Sequence, residues 1–453
     1  MAKLVAAFGS SHSIMLVSQR EDWQHGFKVI DTKNAHYYDK QGRKTDYDAL
    51  LADMPPGTEA MVTPEKMSER FDASQVAMDA LHERILAAKL DVLLIVGDDQ
   101  TELFRTSNNP AMAIFYGPTI RNTAREPAAL NDPWPKTARM WRHEPEADRE
   151  YPVQSDLAEW LIRQLCDRDF DIAAMDGLEP GQSEGHAFQF IHRRLLKGHE
   201  LPVIPVILNT FDPPNQPTPR RCVALGKALR ELIAQWPQDL RVGVIASGGL
   251  SHFVVDEELD QQVLSAIRNK DSAALAAFDP LRLQAGSSEI RNWLVVGEMA
   301  KELDLEWVEY VPGYRSPALT GTGLAFAAWK TLFFIFYPKA ADMTDLQVQR
   351  LRRLDVCAVS DALDKLQLSG VVTGLPMRSS APGGVSRIAG RAVTMKVGPG
   401  TPPPGPPKHL GCAAIEQSGA DNVIVVEQRS GVEAGCWGGL LTLGAKVRGV
   451  AGV

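Results

Sequence analysis

Short apolar segments that end in small or polar residues recur along the N-terminal half of the chain. They are rich in valine, isoleucine and leucine and too short for buried helices, which is typical of strands buried on both faces. The clearest of them are Lys3 to Phe8, Asp91 to Gly97, Asp171 to Asp176, Leu201 to Asn209 and Val242 to Ala246. These segments predict a largely buried β-sheet.

Segments with apolar residues at helical spacing separate the predicted strands. They are Pro64 to Ala88, Asp156 to Asp167, Val223 to Gln235, Glu257 to Asn269 and Ser272 to Phe278, with one more helix beginning at Ser287-Ser288-Glu289. Because alternating strands and helices pack as a sheet covered by helices, the pattern predicts an α/β sandwich.

Composition narrows the class of protein. A chain of 453 residues exceeds one ordinary domain, so we expect two. Charged residues make up 23% and the net charge is -8, which is typical of a globular protein and argues against a nucleic-acid surface. The five cysteines include no CxxC pair, which supports neither a disulfide framework nor a zinc finger. No segment has the features of a signal peptide or a membrane span, so we expect a cytoplasmic protein.

Two histidines follow predicted strands in the same way. His12 comes after the strand that ends at Phe8, and His252 comes after the strand that ends at Ala246, in each case through a turn of small residues. Because ligands bind at the carboxyl ends of strands in open α/β sheets, we expect both side chains at that edge. For His252 the alternative is a plain strand-to-helix connection, in which Ser251 is the N-cap and the histidine is merely exposed.

Carboxylates and an amide stand at the same predicted edge. Asp98-Asp99-Gln100 follows one strand, and Glu289 begins the last predicted helix. Together with His12, they offer the donors of a non-haem Fe(II) site, in which two histidines and one carboxylate leave positions for substrate and oxygen. The alternative for Glu289 is an acidic residue in the first turn, where the helix dipole favours it.

Six short motifs occur in a fixed order: SSHS, the polar residues after DVLLIVG, GHAF, PVILNTFDPP, SGGLSH and SSEIRNW. In that order they resemble the class III extradiol ring-cleavage dioxygenases, of the protocatechuate 4,5-dioxygenase catalytic-subunit type. The resemblance covers Met1 to Phe334. It implies an enzyme in which a catechol chelates Fe(II), oxygen binds beside it, and the ring opens next to the diol.

The resemblance also implies roles for single residues. His12 and Glu289 would be iron ligands, and His252 would be the acid/base beside substrate and oxygen. His186 would be a second polar contact in the pocket, although a packed or exposed loop histidine is the alternative. These roles suit the chemistry, because a histidine that is neutral near pH 7 can take a phenolic proton and return it.

One position departs from the family pattern. Gln100 stands where the family has its second histidine ligand, and an amide oxygen is a weaker donor to iron than imidazole. Either Gln100 itself completes the metal site, or Asp98, Asp99 or His36 does so, or the ligand is absent.

A second unit follows the apolar segment near residues 332–337, and we expect domain limits of 1–337 and 345–453. Its motifs VSDAL, GRAVTMKV and WGGLL resemble the RraA-like family, which includes 4-hydroxy-4-methyl-2-oxoglutarate aldolases. The resemblance implies that the backbone of Gly438 to Leu441 receives a pyruvate carboxylate at a helix N-terminus. The family's next substrate- and metal-binding elements are not encoded before Val453. We therefore expect an incomplete α/β domain without aldolase activity.

These interpretations combine into one expected function and one alternative. The expected function is Fe(II)-dependent extradiol cleavage of a small carboxylated aromatic diol, of the protocatechuate or gallate type, with O2. We expect a homo-oligomer without nucleic-acid or membrane partners. The alternative is a binding or scaffolding protein built from two impaired enzyme folds, for which Gln100 and the incomplete second domain are the grounds.

Overall fold

The computed structural model describes residues 1–105, 107–124, 141–331, 346–370, 372, 388–398, 409–429 and 435–453. The chain divides into two units, Met1–Leu332 and Phe333–Val453. The predicted boundary between residues 337 and 345 lies outside the described residues, so the domain limits stay a prediction. Among the described residues, no helix has the length and apolar character needed to cross a bilayer.

The first unit alternates strands and helices along the chain. Its strands are β1 Lys3–Ser10, β2 Tyr37–Tyr38, β3 Lys44–Thr45, β4 Val92–Asp98, β5 Met112–Phe115, β6 Thr119–Asn122, β7 Arg149–Pro152, β8 Ala173–Met175, β9 Val203–Leu208, β10 Arg241–Ser247, β11 His252–Val254, β12 Leu303–Tyr314 and β13 Thr320–Thr331. Its α-helices are α1 Phe27–Asp31, α2 Tyr47–Ala52, α3 Pro64–Ala87, α4 Ser155–Cys166, α5 His186–Phe190, α6 Pro219–Ile233, α7 Glu257–Arg268, α8 Ser272–Ala276 and α9 Ile290–Met299.

Nine of the described strands form one sheet in the order β11-β13-β1-β10-β4-β9-β5-β8, with β12 paired to β13. The five strands predicted from apolar runs all belong to it. The pattern missed the antiparallel hairpin of β12 and β13, because β12 mixes polar and apolar residues and has no continuous apolar run. The fold is the predicted α/β sandwich.

Helices cover both faces of the sheet, which explains the continuous apolar runs. Leu94 of β4 belongs to a buried cluster that includes Leu229 of α6. Its neighbour Leu93 belongs to a second cluster, which includes Leu81 of α3 and Phe188 of α5. Successive strand residues therefore point into separate cores, and both cores require apolar side chains.

Parallel pairing brings three strand ends to one edge. Ser247 at the end of β10 pairs with Ser10 at the end of β1, and Ala246 pairs with Val96 of β4. The polar residues that follow these three central strands therefore lie close together, as the sequence predicts.

A wholly buried helix packs beneath that edge. Every residue of α9 is buried, and its Trp293 donates a 2.7 Å hydrogen bond from Nε1 to the carbonyl of Gly248. A Cβ at Gly9 would stand 2.4 Å from the Trp293 ring, so only glycine lets β1 approach this side chain. The close packing holds Glu289, the residue before α9, at the sheet edge.

His252 lies on a strand and not at a helix start. It begins β11, which pairs antiparallel with β13. The N-cap of the following helix α7 is Asp256, whose Oδ1 accepts a 3.2 Å hydrogen bond from the backbone of Leu259. The alternative with Ser251 as N-cap is therefore wrong.

The second unit is a smaller α/β region, as predicted. Its strands β14 Arg391–Val397 and β15 Asn422–Gln428 pair in parallel, and its helices are α10 Leu346–Arg353, α11 Val356–Lys365, α12 Leu410–Glu416 and α13 Gly439–Val447. A small buried cluster holds this region together and consists of Met395, Ala414, Ile415, Ile424 and Ala445. The predicted WGGLL turn leads into α13, whose N-cap is Gly438.

Candidate metal centre

Four side chains from four separate elements converge at the sheet edge. His12 follows β1, Asp98 ends β4, His186 begins α5 and Glu289 precedes α9. One nitrogen or oxygen atom from each lies within 4.8 Å of the others. His12 Nε2 stands 3.2 Å from Glu289 Oε2, 3.8 Å from Asp98 Oδ1 and 3.1 Å from His186 Nε2. This is a compact set of metal-ligating atoms.

The ring of His12 is oriented by a serine of the neighbouring strand. Ser247 Oγ donates a 2.7 Å hydrogen bond to the carbonyl of Ala187, so its lone pair faces His12 Nδ1 at 3.1 Å. His12 therefore carries its proton on Nδ1, and Nε2 is left as a donor atom toward the cluster.

The two carboxylates are buried, and each accepts a hydrogen bond from a residue outside the cluster. Asp98 Oδ1 accepts a 3.2 Å hydrogen bond from the side-chain amide of Asn292, and Glu289 Oε2 accepts a 2.6 Å hydrogen bond from the backbone of Gly249. Burial and the charge of Glu289 raise the pKa of Asp98. Burial alone would raise the pKa of Glu289 too, but the nearby His12 and His252 hold it well below its usual value. Two ionised carboxylates buried at one place would be stabilised by a positive charge, which a divalent cation would supply.

His186 is the second imidazole of the cluster. Its Nδ1 lies 2.5 Å from Glu102 Oε2, and its Nε2 lies 3.8 Å from Asp98 Oδ2. Burial lowers the pKa of His186, but the charge and hydrogen bond of Glu102 outweigh it and raise the pKa to about 9.

Gln100 contacts two carboxylates of the cluster. Its Nε2 donates hydrogen bonds of 3.2 Å to Asp98 Oδ2 and 3.3 Å to Glu289 Oε1. The amide thus bridges two carboxylates that would otherwise repel each other. A half-turn of the amide group would present the oxygen to the cluster instead, and the oxygen is the atom of this side chain that can coordinate a metal.

The other proposed substitutes for the missing histidine differ in position. Asp98 belongs to the cluster, whereas the carboxylate of Asp99 accepts hydrogen bonds from the backbone of residues 102–104 and closes the turn after β4. His36 is exposed, and its ring lies 5.9 Å from that of Phe211. Of these three, the structure brings only Asp98 into the cluster.

His252 contacts the cluster through Glu289. Its Nδ1 donates a 2.8 Å hydrogen bond to the carbonyl of Leu250, and its Nε2 lies 3.1 Å from Glu289 Oε1. Burial lowers the pKa of His252, yet the charge of Glu289 outweighs it, and the net shift is upward. The ring fits between two glycines: a Cβ at Gly286 would stand 2.0 Å from it, and one at Gly249 would stand 2.9 Å from it.

The donor set fits a first-row divalent metal. Imidazole nitrogens and carboxylate oxygens are the ligands of non-haem iron centres, and the hydrogen bonds behind them are those that orient ligands in metalloproteins. The sequence-predicted residues His12, Glu289 and Gln100 all lie at this site, with the catalytic candidates His252 and His186 beside them.

Three supporting residues escaped the sequence reasoning. Ser247 ends a strand level with Ser10, so its place at the site was accessible from the pattern. Asn292 stands one helical turn after Glu289, which also predicts a shared face. Glu102 left no such signal, because its partner His186 is 84 residues further along the chain.

Comparison with known proteins decides the family. Residues 55–311, more than half of the chain, match the family described as the catalytic LigB subunit of aromatic ring-opening dioxygenase. The chain belongs to this family. Residues 356–453 match a second family, described as Aldolase/RraA. The predicted order of a dioxygenase domain followed by an RraA-like domain is confirmed.

Individual relatives are similar over shorter stretches. A gallate dioxygenase of Pseudomonas putida is 33% identical over 117 residues, which are 23% of this chain and 33% of that protein. A 2,3-dihydroxyphenylpropionate/2,3-dihydroxicinnamic acid 1,2-dioxygenase of Xanthobacter autotrophicus is 36% identical over 100 residues, 22% of this chain and 30% of the relative. One of Cupriavidus necator with the same name is 34% identical over 101 residues, also 22% of this chain and 30% of the relative. The chain thus spans about a third of the length of these relatives.

Proposed function

We propose that this member of the ring-opening dioxygenase family performs extradiol cleavage of a carboxylated catechol with O2 and Fe(II). The observation that carries the proposal is the buried group of His12, Asp98 and Glu289, with His252 in contact with it. Family membership supports ring-opening chemistry in general, and the donor set supports iron. Bound Fe(II) would supply a Lewis acid for the catechol and a redox-active centre for O2, while the catechol itself would supply the electrons that reduce O2.

His252 is the residue suited to move protons. Because its Nδ1 is engaged with the carbonyl of Leu250, proton exchange falls to Nε2, which points to Glu289. Both nitrogens face oxygen acceptors. Once Glu289 is engaged by a metal, Nε2 would be free to accept a phenolic proton of the substrate, which leaves a catecholate, and the same atom can return the proton to the product. Gly249 and Gly286 have no side chains and leave the space that the ring occupies in this position.

The proposed substrate class draws on the relatives. Gallate and 2,3-dihydroxyphenylpropionate, which the names of those proteins give as substrates, are both catechols with a carboxylate. A small aromatic diol with an acidic substituent is therefore the proposed substrate. The predicted homo-oligomer and the cytoplasmic location stay predictions.

Gln100 is one of the two grounds for the alternative of an impaired scaffold. That residue weakens the family's ligand pattern, but the cluster holds two imidazoles and two carboxylates without it. The alternative predicts that purified protein binds no iron and consumes no O2 with any catechol.

Anaerobic loading with Fe(II) tests the proposal. We expect near-stoichiometric iron, and O2 uptake on addition of protocatechuate, gallate or 2,3-dihydroxyphenylpropionate. With ¹⁸O2, mass spectrometry should find both labelled atoms in a product opened beside the diol. An iron-loaded protein that consumes no O2 with any of the three would reject the proposed reaction, and cleavage between the two hydroxyls would reject the extradiol type.

A further inference from the structure

The imidazole that the family pattern places at the end of β4 is missing from this chain, yet a second imidazole is present in space. Gln100 occupies the strand exit, while His186 reaches the cluster from the first residue of α5. Its Nε2 lies 3.1 Å from His12 Nε2, and the two rings meet edge to face with centroids 4.5 Å apart. Two imidazole nitrogens so close, with carboxylates around them, have the arrangement of ligands to one ion.

A single carboxylate oxygen sets the direction of His186. Glu102 Oε2 lies 2.9 Å from the backbone nitrogen of His186 and 2.5 Å from its Nδ1. An ionised carboxylate only accepts, so Nδ1 carries a proton beside Glu102, and Nε2 is the nitrogen that can give up its proton to coordinate a metal. The same oxygen also accepts from the backbone N–H of His186 at the start of α5, where the N-cap Gly185 has no side chain to cap the helix.

The surroundings of Glu102 are built for this contact. A Cβ at Gly185 would stand 3.1 Å from Glu102 Oε2, so the glycine leaves room for the carboxylate. Arg142 Nη1 lies 3.7 Å from Glu102 Oε1, the oxygen that does not face His186. Each oxygen of Glu102 therefore has a separate cationic or N–H partner, which fixes the carboxylate in one orientation.

Gln100 and Glu102 have different roles at the strand exit where the family pattern has a histidine. Gln100 donates to Asp98 and Glu289 and keeps the two carboxylates together. Glu102, two residues later, brings in an imidazole from another element. Metal-bound histidines commonly donate their other nitrogen to a carboxylate, which raises their basicity and fixes the ring.

We infer that His186 supplies the second imidazole of the metal centre, and that Glu102 is the positioning residue that orients it. The inference rests on the metal centre of the proposed function but not on its substrate or reaction. It moves His186 from a contact of the substrate pocket to a ligand of the metal.

Metal binding without turnover tests the inference. Affinity for Fe(II) is measured anaerobically by competition with a chelator, and Co(II) serves as a second probe whose visible d–d bands report the ligand set. The variants are His186→Ala, His186→Gly, Glu102→Ala and Glu102→Gln. The exposed neighbours His199 and Glu200 provide the matched controls His199→Ala and Glu200→Gln.

We expect His186→Ala to weaken Fe(II) binding and to change the Co(II) spectrum, and free imidazole to restore the spectrum in His186→Gly. Glu102→Ala should weaken Fe(II) binding about 10- to 100-fold, which is the usual effect of losing a carboxylate behind a metal-bound histidine. Glu102→Gln keeps the size of the side chain and should give a smaller loss, so it remains informative if the alanine variant does not fold. Both controls should bind like the wild type.

Wild-type affinity and spectrum in His186→Ala would overturn the inference. If His186→Ala weakens binding but both Glu102 variants do not, the positioning role of Glu102 is wrong. His12→Ala separates these results from failure of the proposed function: loss of metal there with retention in His186→Ala rejects only the inference. Retention in both variants would reject the metal centre itself.

Discussion

Two strand exits share one sequence pattern and have different roles in the structure. β1 and β10 are parallel neighbours, and each runs through small residues to a histidine. At β1 the histidine comes two residues past the strand, and its ring enters the cluster directly. At β10 the last residue of the strand, Ser247, pairs with Ser10 and orients His12, and His252 comes five residues later on a strand of its own. The number of residues between strand end and histidine thus differs between the proposed metal ligand and the proposed proton carrier.

The neighbours of the two rings make the same distinction. The Nδ1 of His12 faces the hydroxyl of Ser247, and the Nδ1 of His252 donates to the carbonyl of Leu250. In both cases Nε2 is directed at Glu289, but at different oxygens. One carboxylate therefore links the residue proposed to hold metal with the residue proposed to move protons.

The largest expected effect comes from the β1 exit. His12→Ala removes a nitrogen from the centre of the cluster and should abolish stoichiometric Fe(II) binding, and Glu289→Ala should do the same. Iron content per protein after anaerobic loading and desalting measures this. Full iron content in either variant would remove that residue from the site.

At the β10 exit, replacement of the histidine by alanine should lower turnover without lowering iron binding. His252→Ala should keep its iron and lose about 10²- to 10⁴-fold in kcat, the range typical of a lost general acid or base. Iron content and O2 uptake are measured on the same sample. If this variant loses iron instead, the two histidines have equivalent roles and the comparison fails.

A methyl group beside His252 tests its placement without removing it. In Gly286→Ala the new Cβ would stand 2.0 Å from the ring, so the ring must move, and we expect kcat to fall about 10²-fold, as for a displacement near 1 Å. Gly177→Ala is the matched control, since no atom lies within 4 Å of a Cβ there. Equal rates in the two variants would show that the ring position does not limit turnover.

The paired serines offer a finer comparison of the two exits. Ser247→Ala removes the acceptor of His12 Nδ1–H and should weaken Fe(II) binding about 10-fold or more. Ser10 is equally buried and pairs with Ser247 across the two strands, but its hydroxyl donates to the carbonyl of Ser11. Chelator competition should therefore find wild-type affinity in Ser10→Ala. A similar loss in both variants would point to a general packing defect.

The smallest expected effect is on stability. Burial raises the pKa of Asp260 to about 7, and its carboxylate accepts from the backbone N–H of Ser251 and the hydroxyl of Tyr310. An acid whose pKa is raised by folding binds its proton more tightly in the folded state. Its contribution to the free energy of unfolding therefore falls as the pH rises from the unfolded pKa, near 4, to about 7.

Urea unfolding at pH 5 and pH 8 measures that contribution. The free energy of unfolding of wild type minus that of Asp260→Asn should be more favourable to wild type at pH 5 than at pH 8, because the asparagine does not titrate. A difference that is independent of pH would mean that Asp260 is ionised in the folded protein throughout this range.

The sequence was most informative about features that depend on residues close together in the chain. Apolar runs buried on both faces identified β1, β4, β9 and β10, and small residues at their ends located the edge where the polar groups meet. The hairpin of β12 and β13 was missed, because mixed polar and apolar residues carry no comparable signal. Ser251 was open to a helix-cap reading, since a hydroxyl before a polar segment suits a cap as well as a strand start.

Residue identity and order along the chain therefore determined the sheet, its functional edge, the family resemblance and the candidates His12, Glu289 and His252. Tertiary structure decided which strand-exit carboxylate faces the cluster: Asp98 turns inward, while the adjacent Asp99 closes a turn. It also brought His186 and Glu102 together across 84 residues, and paired Ser247 with His12 across 235. The reason is that hydrogen-bond direction and ligand geometry depend on distances between separate elements, which only the packing of helices against the sheet determines.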